Sequence, residues 1–202
     1  MVEKVDLKKQ LDSYRARQGE QRIITVPDRR YLMVDGEGDP NTSPAFTAAI
    51  ETLYPVAYRL KFASKRELGR DYVVPPLEGL WWAEDMAAFT TARDKAQWSW
   101  TLMIMVPDWI EEAFAVAAVG EAGAVRLTTL SEGQCVQTLH VGSFDDEAPV
   151  LERMHHEFIP GNGLRMVGRH HEIYLSDFRR VTPERRRTIL RQPVVSDDTS
   201  AG

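Results

Sequence analysis

The sequence predicts an α+β fold built from two strand-helix-strand-strand modules, and three observations carry that prediction. Apolar runs of strand length, bounded by glycine and proline, recur along most of the chain. Two amphipathic helical stretches interrupt them, one behind Ser43-Pro44 and one over Asp145–Phe158. The resulting order of strand, helix, strand, strand occurs at 22–106 and again at 134–176, as a repeat of pattern without sequence identity between the halves. Two such units side by side place helices on one sheet face and leave a cleft available on the other face or at the seam.

Residues 1–20 are polar and read as an N-terminal arm or short helix closed by Gly19. A single domain is expected over 21–190, with modules at about 22–106 and 124–178, followed by a flexible tail at 191–202. Arg22–Val34 reads as strand interrupted by Pro27, ending in the turn Asp35–Asn41. Ser43 is a cap and Pro44 a first helical residue; Phe46, Ile50, Leu53, Ala57 and Leu60 then form one apolar face. Pro55 inside that helix removes a backbone donor. Tyr72–Trp82 reads as an irregular strand because of Pro75 and Pro76, and Gln97–Val106 as a regular one. A helix capped by Asp108 is expected over 108–119, then strands at Ala124–Leu130 and Gln134–Val141. The helix Asp145–Phe158 should stop at Pro160, with strands at Leu164–Val167 and His171–Ser176.

Composition narrows the function classes. With 43% apolar and 27% charged residues the chain is too apolar for general disorder. A net charge of −5 argues against a protein built to hold a nucleic acid backbone. Trp100–Val106 and Ala113–Val119 are the longest apolar stretches, far short of a membrane span. Without a secretory leader pattern the expected compartment is the cytoplasm. Cys135, the one cysteine, forms neither an intrachain disulfide nor a thiolate cage and reads as a small buried hydrophobe. No cofactor and no metal are expected: there is no HExxH motif, and Gly36-Glu37-Gly38 lacks the ending of a phosphate loop.

All five tryptophans fall between Trp81 and Trp109. Alternation sends Trp81 and Trp82 to opposite strand faces, one to the core and the other to a cleft. Trp98 and Trp100 share a face with Leu102 and Ile104 and read as core, with Trp100 also a candidate wall of a ligand site; Trp109 reads as packing at a helix start. Tyr54 and Tyr58 stand one helical turn apart beside the apolar stripe, as core or as hydroxyls for a ligand. Glu78 shares strand parity with Tyr72, Leu80 and Trp82 and is a second acidic candidate, or an edge-strand glutamate.

In the last strand His170, Glu172, Tyr174 and Ser176 share one face and His171, Ile173 and Leu175 the other. If Ile173 and Leu175 pack under the helices, Glu172 and Tyr174 face the open side, with His170 placed to hydrogen-bond Glu172. By pattern alone Glu172 is equally a solvated residue, a partner of Arg179, or part of a site. The arginines at 179, 180, 185, 186, 187 and 191 read as a solvated helix or a docking surface.

YLMVDGEGDPN (Tyr31–Asn41), LYPVAYRLKF (Leu53–Phe62), DYVVPPLEGLWW (Asp71–Trp82), HEIYLSDFRR (His171–Arg180) and TILRQPV (Thr188–Val194) resemble the GyrI-like small-molecule-binding family. The likeness is to its stand-alone branch, which includes cyclopropanoid cyclohydrolases. It implies a duplicated fold with a ligand cleft between halves, an effector-binding-domain fold that takes a hydrophobic aromatic small molecule. In the catalytic branch an aromatic cage holds duocarmycin-like or yatakemycin-like DNA alkylators and a carboxylate activates the water that opens their strained ring, a form of drug resistance by detoxification. Carried over, Glu172 is that carboxylate; Tyr54, Tyr58, Tyr72, Glu78, Trp81, Trp82, Trp100 and Tyr174 are candidate ligand contacts. Two other readings stand beside hydrolysis: sequestration of planar or cationic aromatic drugs without turnover, and gyrase-directed inhibition.

Overall fold

The computed structural model describes residues 3–83, 95–121 and 123–197. In chain order the elements are β1 (Lys4–Val5), α1 (Leu7–Gln10), β2 (Arg22–Val26), β3 (Arg29–Glu37), α2 (Pro44–Glu67), β4 (Asp71–Tyr72), β5 (Leu77–Trp82), β6 (Ser99–Val106), α3 (Glu112–Val119), β7 (Arg126–Leu130) and β8 (Gly133–Val141). They continue with α4 (Ala148–Arg153), a π-helical turn (Met154–Phe158), α5 (Ile159–Gly161), β9 (Leu164–Met166), β10 (His170–Tyr174) and β11 (Arg187–Ser196). The chain divides into two units. One holds Arg29–Leu130 with the N-terminal residues to Gln10, the other Leu11–Asp28 with the chain from Ser131.

In the first unit antiparallel strands run in the order β5-β6-β3-β7. Tyr31, Leu32, Met33 and Val34 are all buried, so β3 is covered on both faces. The predicted stripe Phe46, Ile50, Leu53, Ala57 and Leu60 is buried along α2, and Pro55 lies inside the helix on its exposed side. Phe46 seats α2 on the sheet, with its ring 5.1 Å from Trp100 and 6.0 Å from Trp81. Trp100 is wholly buried, and its indole fills the space that a Cβ on Gly36 would need. At the far end of α2, Lys61 is paired with Asp71 of β4, whose partner strand is β1.

The second unit repeats this layout. Its antiparallel strands run β10-β11-β8-β2, with β9 added alongside β11. In each unit the order is strand, helix, strand, strand, and the last strand lies between the other two. The final strand of the second repeat is β11, not the stretch near 176 where the sequence pattern ended it. Residues 191–196, expected as the start of a flexible tail, complete this strand, and Thr188–Val194 is buried throughout. The expected solvated arginine helix is instead a short 3-10 turn at Pro183–Arg185 followed by β11.

Two other boundaries differ. The helix after β6 starts at Glu112 with Glu111 at its cap, because the Asp108 carboxylate is taken by Arg29. The helix after β8 is broken into α4, the π turn and α5, and Pro160 sits in its last turn without ending it. Met154 and Ile159 from this broken path pack on Val136, Leu190 and Val194. Cys135 lies with Ile24 and Val26 on the other face of β8. Burial, then the Glu132 charge, pushes its thiol up to about 12, so it behaves as the buried hydrophobe expected.

A buried polar network fixes that second face. Glu132, in the turn before β8, accepts from His171 Nδ1 at 2.8 Å and from Arg191 Nη1 at 3.0 Å. Arg191 also donates to Gln137 Oε1 at 3.0 Å and to the Ser13 carbonyl at 2.7 Å, and Gln137 donates to the Arg15 carbonyl at 3.0 Å. The polar N-terminal arm is thus clamped at Ser13 and Arg15, with Tyr14 between them buried.

Burial alone would raise the Glu132 carboxyl, but His171 and Arg191 outweigh it and hold it at about 2, below the ordinary 4.5. A depressed carboxylate contributes stability that is complete above the unfolded value and lost as pH falls through the folded one. About 3 kcal/mol should therefore disappear between pH 4.5 and 2. Glu132→Gln, which strands Arg191, should cost about 3–5 kcal/mol in urea unfolding at neutral pH and flatten that acid limb. Gly36→Ala should cost about 1–3 kcal/mol by overpacking against Trp100, read from the same unfolding curves.

Candidate functional site

β10 carries the densest cluster of chemistry-bearing side chains in the second unit. Its pleat puts His170, Glu172 and Tyr174 on one face, as the alternation predicts. Glu172 lies opposite Leu190 of β11, and Leu190 packs with Met154 and Ile159. Glu172 and Tyr174 therefore lie on the helix side of this sheet, the reverse of the expected assignment. The other face is taken by Ile173 and Ile189, which oppose one another with no exposure, and by the Glu132 network.

Tyr174 Oη donates to Glu172 Oε2 at 2.7 Å. The second carboxylate oxygen, Oε1, stands 3.6 Å from His170 Nε2, beyond hydrogen-bond reach, with the glutamate and histidine side chains 14% and 15% exposed. Arg179, the alternative partner, is engaged by Asp177, whose carboxyl it holds below the usual range. His155 of the π turn lies edge-on to His170, with centroids 6.3 Å apart. Burial, then His170 and His156, lowers His155 to about 4, so its ring is neutral near neutral pH.

Tyr174 also belongs to an aromatic trio. Its ring lies 5.3 Å from Phe178 and 5.8 Å from Phe144, and the two phenylalanines are 5.9 Å apart, all edge to face. Arg186 stacks its guanidinium over Phe144 at 5.1 Å. Pattern reading missed Phe144 and Phe178 because both lie outside strands and the long helices. The one signal was their position, three residues beyond β8 for Phe144 and four beyond β10 for Phe178.

The first unit distributes its candidates differently. Trp81 faces α2 through Phe46 and is core, and Trp82 with Glu78 and Leu80 points to the opposite face. Glu78 is wholly buried there, opposite Met103. Trp100 is enclosed by Phe46, Trp81 and Gly36 and donates its indole N–H to the Gly38 carbonyl at 3.3 Å, so it acts in packing and not as a wall. Trp98 precedes β6 and lies half-buried against Trp81, and Trp109 lies in a turn before α3, edge-on to Tyr72.

Tyr72 does not share a face with Glu78. Pro75 and Pro76 separate β4 from β5, and β4 pairs with β1 instead, so strand parity does not carry across. Its phenol is pushed up by burial and then by Asp71, as a packed ring would be. Tyr54 is half-buried and Tyr58 exposed on α2. Tyr58 rests 6.2 Å from Phe62, and Phe62 lines an open groove of about 470 Å³ between α2 and α3. Among the described residues no group of three His, Cys, Asp or Glu side chains is arranged to hold a metal ion, and no helix is long and apolar enough to cross a membrane.

The sequence matches the GyrI-like small molecule binding domain over residues 20–194. Three solved structures from Listeria innocua are similar over 100% of their own lengths. An uncharacterized conserved protein is 37% identical over 95% of this chain, with a TM-score of 0.83. A hydrolase is 36% identical over 96%, with a TM-score of 0.82, and another structure of a hydrolase is 35% identical over 95%, with a TM-score of 0.80. No curated protein matches the sequence at a significant level.

Tyr174→Phe removes the hydroxyl bond to Glu172 while keeping the ring in the aromatic trio. It should lower the unfolding free energy by about 1.5–3 kcal/mol, the range for a hydrogen bond to a charged group, measured by urea denaturation.

Proposed function

The chain belongs to the GyrI-like small-molecule-binding family, and from that premise we propose that it binds a flat, hydrophobic aromatic molecule and hydrolyses a cyclopropane fused to it, with Glu172 as general base. The observation that carries this reading is a mostly buried carboxylate on a strand, fixed through one oxygen by Tyr174, whose ring packs against Phe144 and Phe178. The similarity to hydrolase structures at 35–36% identity supports hydrolysis as the reaction class.

The chemistry asks little beyond this. Water gives a proton to Glu172 as its oxygen bonds to the cyclopropane methylene. The strained carbon–carbon bond breaks, and its electron pair passes into the conjugated ring as a phenolate, which takes a proton from solvent. The net change is addition of one water, with no redox step. The aromatic trio that holds the Tyr174 ring offers edge and face contacts to a planar substrate. The product has lost the electrophile that alkylates DNA, so the reaction is a detoxification.

Incubating the protein with a purified duocarmycin-type compound should yield the ring-opened phenol, followed by chromatography and mass. Glu172→Gln keeps the shape and removes the base, and should lower turnover by about 100-fold or more. Wild-type rates equal to buffer, or a glutamine variant as fast as wild type, would reject the reading. Quenched tryptophan fluorescence with the compound recovered intact would point to sequestration instead.

A further inference from the structure

The described site leaves three buried nitrogens unexplained. Nδ1 and Nε2 of His170 and Nε2 of His155 are buried and have no hydrogen-bond partner among the described residues. A neutral imidazole carries one donor and one acceptor, and leaving such a group unsatisfied costs about 1–3 kcal/mol. Native structures keep such a group where something other than the protein completes it.

For one of these three atoms, His170 Nε2, the geometry says what completes it. Glu172 Oε2 is occupied by Tyr174, so Oε1 is the oxygen left to act as base, and Oε1 is the one that faces His170 Nε2. Their separation of 3.6 Å is too long for a direct hydrogen bond and short enough for a single water to reach both atoms.

We propose that His170 is a positioning residue for the attacking water, which donates one hydrogen to Glu172 Oε1 and the other to His170 Nε2. Both lone pairs of that water are then turned away from the protein, toward substrate. His170 holds its own proton on Nδ1 in this arrangement, and Glu172 removes the proton as the carbon–oxygen bond forms. His155 lies edge-on against the ring and limits its rotation. This assignment rests on Glu172 being the base; what it adds is which oxygen acts and what orients the nucleophile.

The test uses the same cyclopropanoid compound, with kcat and KM measured separately. His170→Ala should lower kcat by about 100-fold, the cost of a misplaced reactant, with KM changed less than about twofold. Part of that loss, about tenfold, should return on adding imidazole or in His170→Gln, whose amide reaches the position of Nε2. His170→Phe, which keeps a ring in the strand, should show the alanine loss and replaces that variant if alanine does not fold. Wild-type kcat in the alanine or phenylalanine variant, or a loss that neither imidazole nor glutamine repairs, overturns the role of His170 alone. A wild-type protein that leaves the compound unopened, or Glu172→Gln at wild-type rate, overturns the Glu172 reading and this one with it.

Discussion

Glu132 accepts from His171 and from Arg191 at once, and this shared carboxylate settles which way β10 faces. His171 and Glu172 are neighbours, so the pleat must send them to opposite sides. A slip of one residue would bring Glu172 to Glu132, carboxylate against carboxylate, and would strand His171 among apolar helix contacts. Register is thus defended by charge as well as by Ile173 packing on Ile189. The same network holds Gln137 on β8 and the carbonyls of Ser13 and Arg15, so the strand that carries the candidate base is tied to the chain's N-terminal segment.

Much of this was legible in the sequence where one physical rule acts alone. The α2 stripe follows from helical period, and the division of Trp81 from Trp82 from strand period. Strand parity also gathers His170, Glu172 and Tyr174 correctly. It fails between Tyr72 and Glu78 because two prolines end one strand and begin another, and parity has no meaning across a break.

What the sequence hid has a common cause in β11. A run containing Arg187 and Arg191 looks solvated, yet Arg191 is buried because a carboxylate fifty-nine positions earlier neutralises it. Such compensation is invisible without the tertiary pairing. The face of β10 was misjudged for the same reason. A strand covered on both sides offers apolar residues to each, and only its register against Leu190 and Ile189 tells the helix side from the other.

The two repeats share strand order and differ in what covers them. In the first, α2 runs unbroken from Pro44 to Glu67, and the sheet face beneath it is wholly apolar around Trp81, Trp100, Leu102 and Ile104. In the second, the helical path is short and passes through a π turn, which widens the backbone locally and re-aims its side chains. Met154 still reaches the apolar contacts of β8 and β11, while His155, the next residue, lies over His170 at the other side of that face. A regular helix of the length of α2 would cover this face with apolar contacts, as it does in the first unit. The broken helix is therefore what makes room for a carboxylate, a phenol and an imidazole on the helix side of a sheet, so the candidate base lies in the repeat whose cover is incomplete.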